Sequence, residues 1–154
     1  TDGGTISGSN TDTLCISRVS FGNVGLYDVV INDDCIAVTS NTALLNIVDP
    51  KLNITPTCPG GGPIELKWSD AYPAGQIAII FSSNTGSFRI PGAFACAGTR
   101  LGLSNQAIQL AYQGYAGDYG SRTINSSAGP NACGGYLQLI DLETCAVSNV
   151  VRIE

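Results

Sequence analysis

Residues 11–48 read TDTLCISRVSFGNVGLYDVVINDDCIAVTSNTALLNIV, and their pattern decides the fold class. Leu14 and Ile16 alternate with polar neighbours on a first strand, Tyr27, Val29 and Ile31 on a second, and Leu45 and Ile47 on a third. A period of two marks strands with one face buried. Between the first two strands, Gly22-Asn23-Val24-Gly25 forms a corner that a Tyr follows at once. The seven apolar residues Leu14, Ile16, Tyr27, Val29, Ile31, Leu45 and Ile47 therefore belong to one face.

The same stretch resembles strands E, F and G of an immunoglobulin-like domain, where a Gly-x-Tyr corner leads into strand F. The pieces that carry the likeness to bacterial Ig-like repeats occur in order. They are Asp2-Gly3-Gly4-Thr5-Ile6-Ser7-Gly8, Thr13-Leu14-Cys15-Ile16-Ser17-Arg18-Val19, Gly25-Leu26-Tyr27-Asp28-Val29 and Thr39-Ser40-Asn41-Thr42-Ala43-Leu44-Leu45-Asn46-Ile47. They span about the first third of the chain. Val29 stands where many Ig domains place the strand-F cysteine, and strands A to D have no counterpart in these residues. An Ig domain needs about 100 residues and two facing sheets. The expectation for residues 1–49 is thus a partial Ig-like domain whose apolar face must be covered by something else.

Composition bounds the remainder. The chain has 154 residues, a hydrophobic fraction of 44% that can build a core, and 19 Gly, as many short strands joined by turns require. Its net charge of −5 and singly scattered Lys and Arg argue against nucleic acid as a partner. No apolar run approaches the ~20 residues of a membrane helix, so no membrane insertion is expected. Without an initiator Met or a signal-like start, the chain reads as a processed form or a fragment. Six cysteines without a C-x-x-C pair or any His argue for disulfides rather than zinc, and so for an extracellular or cell-surface location. Asn53-Ile54-Thr55 and Asn125-Ser126-Ser127 fit the glycosylation acceptor pattern.

Residues 50–154 read as a second, complete β-sandwich. Ile64, Leu66 and Trp68 alternate inward against Glu65 and Lys67, and Ile77, Ile79 and Phe81 share one face of a buried strand. Leu101 and Leu103, then Ile108, Leu110 and Tyr112, mark further strands. A final hairpin turns at Leu142-Glu143-Thr144, and its tail Ser148-Asn149-Val150-Val151 echoes Thr39-Ser40-Asn41. Ala97-Gly98-Thr99-Arg100-Leu101-Gly102-Leu103 and Cys133-Gly134-Gly135-Tyr136-Leu137-Gln138-Leu139 resemble the C-terminal β-sandwich modules of large exported bacterial proteins. The overall expectation is all-β: half an Ig-like sandwich, then a complete Ig-like, Greek-key sandwich with disulfides. In Ig-like strand order the AB and EF connections share one pole and the BC, DE and FG connections the other. The resemblance then implies Cys58–Cys133 and Cys96–Cys145, with Cys15 and Cys35 paired in the first module.

Chemistry is sparse. Without His there is no Ser-His-Asp or Cys-His arrangement, and Gly60-Gly61-Gly62 precedes Pro63 and a strand rather than a phosphate-cradling helix. The acidic pairs Asp33-Asp34 and Asp141 with Glu143 read as solvated turn residues. No enzyme, cofactor or metal is expected, although Asp33, Asp34 and Asp118 could offer oxygens to Ca²⁺. Tyr112, Tyr115, Asp118 and Tyr119 form a candidate carbohydrate or protein surface in a Gly-rich segment. The function expected is that of a non-catalytic extracellular structural protein. Its unpaired face, formed by the seven apolar residues above, would be completed by other copies of itself or by the missing half of an Ig-like domain, giving a filament or surface layer. The alternative is a C-terminal fragment of a larger secreted adhesin with a carbohydrate-binding or sorting module.

Overall fold

A computed structural model describes residues 2–17, 19, 21–33, 36–55, 58 and 60–154. The chain is all-β and divides into two compact units, Thr1–Val48 and Asp49–Glu154.

Unit 1 consists of short antiparallel pairs. Strand β1 (Ile6–Ser7) pairs with β2 (Cys15–Ile16), with Cys15 opposite Ser7. A single 3₁₀ turn at Phe21–Asn23 leads into β3 (Gly25–Tyr27) and β4 (Val30–Asn32), and the chain returns through β5 (Ala37–Thr39) and β6 (Ala43–Leu45). Strand β4 pairs with β5 and β3 with β6, so residues 25–32 and 37–45 form the two arms of one hairpin in two segments. The corner before it is held by the Tyr27 hydroxyl, which donates to the Asn23 carbonyl at 2.7 Å. Cys15 is an exposed free thiol, contrary to the expected pairing with Cys35, and its position in β2 lies opposite Ser7. Cys35 and Asp34 lie outside the described residues.

Unit 2 stacks two sheets and a hairpin. One sheet runs β13 (Arg122–Ala128), β8 (Gly62–Ser69), β7 (Lys51–Thr55). The other runs β12 (Gln109–Tyr115), β9 (Gln76–Ser82), β14 (Tyr136–Asp141), β15 (Val151–Arg152). Alternation on the facing strands sends Ile64, Leu66 and Trp68 inward to meet Ile77, Ile79, Leu137 and Leu139, all buried in one core. The indole of Trp68 would bury an unpaired N–H there; it donates instead to the Ala116 carbonyl at 2.8 Å.

The outer face of the second sheet is also covered. Strands β10 (Thr85–Arg89) and β11 (Arg100–Leu103) form a hairpin whose Leu101 and Leu103 bury against Ile140. Strand β9 therefore has apolar partners on both sides, which explains its unbroken run Ile77-Ala78-Ile79-Ile80-Phe81. Disulfides join Cys58 to Cys133 and Cys96 to Cys145. The first links the β7–β8 and β13–β14 connections, the second the β10–β11 connection to the turn after β14. Disulfides of this kind persist in oxidising compartments. Among the described residues no helix is long and apolar enough to cross a membrane.

Candidate functional site

Unit 1 has no buried side chain among its described residues, whereas unit 2 holds a full core. Of the face expected from the sequence, Leu14, Val29 and Ile31 are exposed, at 47%, 60% and 65%. Ile16, Tyr27, Leu45 and Ile47 are half-buried. Strand pairing ends at Leu45, so Ile47 lies beyond the sheet. The register sets Tyr27 opposite Ala43 and Gly25 opposite Leu45 on one side of the hairpin. Sequence reasoning missed the other side, where Leu26 faces Leu44 and both are more than two-thirds exposed. The signal was the adjacent pairs Leu26-Tyr27 and Leu44-Leu45, which place apolar residues on both faces at once.

The hairpin contains a defined irregularity. The Val29 carbonyl accepts from the Ser40 N–H at 2.9 Å, and Tyr27 pairs with Ala43, so Asp28 alone faces Asn41 and Thr42. One residue against two is a β-bulge. Ser40 locks it: its hydroxyl accepts from the Val29 N–H at 3.0 Å and donates to the Asn41 carbonyl at 2.9 Å.

Unit 2 repeats the device at its last two strands. The Leu139 carbonyl accepts from the Ser148 N–H at 2.9 Å, and Leu137 pairs with Val151, so Gln138 faces Asn149 and Val150. The Ser148 hydroxyl accepts from the Leu139 N–H at 2.9 Å and donates to the Asn149 carbonyl at 2.7 Å. Gly135 bonds Ile153 just as Gly25 pairs with Leu45. Tyr27, Val29 and Leu45 thereby correspond to Leu137, Leu139 and Ile153, which are 4%, 0% and 2% exposed. The echo of Ser-Asn in the sequence is an echo in hydrogen bonding.

No family model, curated protein or solved structure matches the chain.

The expected tyrosine surface does not hold together as one face. In β12 the pairing slips at Ala111, and beyond this bulge Tyr112 turns toward the core, its ring centroid 5.8 Å from that of Trp68. The Tyr115 hydroxyl donates to the Asp118 carboxylate, and that bond raises its pKa above the ordinary tyrosine value. Tyr119, next in the chain to Asp118, is 89% exposed. Its turn is fixed by Gly120, at a φ of +69°, where any Cβ would strike the Ala71 carbonyl.

Asp141 is buried rather than solvated: its carboxylate accepts from the N–H groups of Tyr72, Glu143 (2.9 Å) and Thr144 (3.1 Å). Burial suits it because the turn offers orphan N–H donors that a carboxylate satisfies together. Glu143 is exposed, as expected of a turn residue. Among the described residues no group of His, Cys, Asp or Glu is arranged to hold a metal. Under the β10–β11 hairpin lies a cleft of about 360 Å³ lined mainly by apolar side chains, among them Ile80, Phe88, Phe94 and Leu110, with Gln109 and Gln113 as its polar members. Asn53 and Asn125 are both exposed.

Proposed function

We propose that the chain is a non-catalytic structural subunit of an extracellular or cell-surface assembly. Its 25–45 hairpin is an acceptor sheet that strands of another copy complete into an Ig-like sandwich. The observation that carries this reading is the pairing of equivalents: Tyr27, Val29 and Leu45 lack the cover that makes Leu137, Leu139 and Ile153 a core. Burying each large apolar side chain is worth about 1.5–3 kcal/mol, so the row supplies enough drive to offset the entropy of association. The Tyr27–Asn23 bond has the form of a tyrosine corner, and the strand order of unit 2 agrees with an Ig-like sandwich. If acceptor and donor surfaces differ, the contact is heterologous and can propagate as a filament.

Sedimentation velocity across a concentration series tests this. The parent chain is expected to form large species, and Val29→Asp to remain monomeric with an unchanged near-UV spectrum of Trp68 in unit 2. A parent that stays monomeric throughout would reject assembly between copies.

A second reading is favoured by the repeated Ser-Asn bulge: two related modules in one chain suit a larger secreted adhesin built of tandem sandwiches. Tyr119, beside the Tyr115–Asp118 pair, would then be the place to look for a carbohydrate contact. The intact mass of the secreted species separates the two, since a tandem protein gives a larger chain.

A further inference from the structure

In unit 2 the Asn149 side chain does what the bulge exists to permit. Its Oδ1 accepts from the Leu52 N–H at 3.0 Å, and its Nδ2 donates to the Leu52 carbonyl at 3.0 Å. One amide thus satisfies both outward-facing backbone groups of a residue in β7. That strand is the edge of its sheet, and among the described strands it pairs with β8. The outer side of an edge strand is a row of unpaired donors and acceptors, and the bulge re-aims one side chain to reach it. Leu52 itself is fully buried, with Leu139 and Ile153 in the same core. The amide therefore fixes the strand that closes the sandwich over the last two strands.

Asn41 is placed by the same bulge, the same Ser hydroxyl bonds and the same Gly–apolar pair one turn of the pattern away. Asn41 is exposed, and no described group bonds its amide. We infer that Asn41 is a strand grip: its side-chain amide is built to hold the N–H and C=O of one residue in an extended strand laid across the acceptor sheet, as Asn149 holds Leu52. The occupant is a polypeptide strand patterned as Lys51–Thr55 is, apolar at every second position, and contributed by a neighbouring chain. The gripped residue is one of the apolar ones, because Leu52 presents its backbone to the amide and its side chain to the core. This inference rests on the acceptor-sheet reading and adds the residue that sets the incoming strand's register. A one-residue slip would turn the donor's apolar row to solvent, and a two-point grip on a single residue opposes that slip.

The test uses the full chain, ¹⁵N-labelled, and two probes: raised protein concentration, and a synthetic peptide of residues 49–55. The Asn41 side-chain amide signals are identified as those missing from Asn41→Ala. They are expected to shift on adding the peptide and again on assembly. Asn41→Ala is expected to weaken peptide binding at least tenfold, and to raise the concentration needed for assembly by as much, while leaving the chain's own thermal unfolding unchanged. Asn149→Ala is the internal control. Its amide is already engaged, so it should lower the unfolding temperature of unit 2 by roughly 4–8 °C. If the parent assembles and Asn41→Ala assembles equally well, the grip is wrong and strand complementation stands. If the parent stays monomeric but the peptide still shifts the Asn41 amide, the grip stands and the donor is not another copy. Unmoved Asn41 signals under both probes overturn the inference.

Discussion

The Asp141 carboxylate accepts three backbone N–H groups, and Asp141→Ala would leave those donors with nothing in a site that is 1% exposed. Each buried donor left unpaired costs about 1–3 kcal/mol, so the variant should lose about 3 kcal/mol or more of unit 2 stability. Urea unfolding followed by Trp68 fluorescence reads this directly, and a loss under ~1 kcal/mol would contradict the assignment. Tyr115 offers a pH test. Its pKa is raised because the folded state keeps the proton that Asp118 accepts. The sign follows: this contact is fully present below the unfolded tyrosine pKa and is lost as pH rises through the folded one. In an alkaline absorbance titration, Asp118→Asn should bring one late-ionising tyrosine back toward the others, and Tyr115→Phe should delete it. The sequence shows acid next to a turn in both cases. It does not show that one carboxylate is enclosed by N–H groups from residues as distant as Tyr72, because that enclosure depends on the tertiary fold.

At the scale of elements, the strands of unit 2 were legible wherever one face is buried, as at Ile64, Leu66 and Trp68. They were less so where an added layer or a bulge changes the rule. The β10–β11 hairpin buries the outer side of β9, so period two gives way to a continuous apolar run. At Ala111 a bulge reverses parity, which sends Tyr112 to the core and leaves Leu110 at the cleft. The two disulfides follow from strand order because loops at one pole are neighbours. They close spans of 75 and 49 residues, and in the chain-entropy account each contributes about 4 kcal/mol. Cys96 and Cys145 tie the hairpin layer to the turn after β14. Replacing both by Ser should therefore raise hydrogen exchange at Leu101 and Leu103 more than at Ile64 and Leu66. Uniform loosening of all four would show that the hairpin is not a separate layer energetically.

Across the whole molecule, the chain carries one sandwich with a core and one hairpin whose equivalent residues lack it. The side of the unit 1 hairpin that carries Tyr27, Val29 and Leu45 could be read from alternation, but its second apolar side could not, because the cover that explains it in unit 2 is a hairpin inserted between strands. Tyr136 and Ile140 pack beneath that hairpin, and Leu26 and Val30 hold the corresponding places in unit 1. Both sides of the unit 1 hairpin thus carry apolar residues that no core buries among the described residues. The measurement that bears most directly on this is amide hydrogen exchange of residues 25–45, compared with residues 136–153, in dilute and assembled protein. Local stability tracks buried apolar contact. In dilute solution the unit 1 amides are expected to exchange at least a hundredfold faster than their unit 2 equivalents, and on assembly to become comparably protected. Protection equal to that of unit 2 in the dilute monomer would contradict the account, because it would mean that the hairpin is stable without strands from another chain.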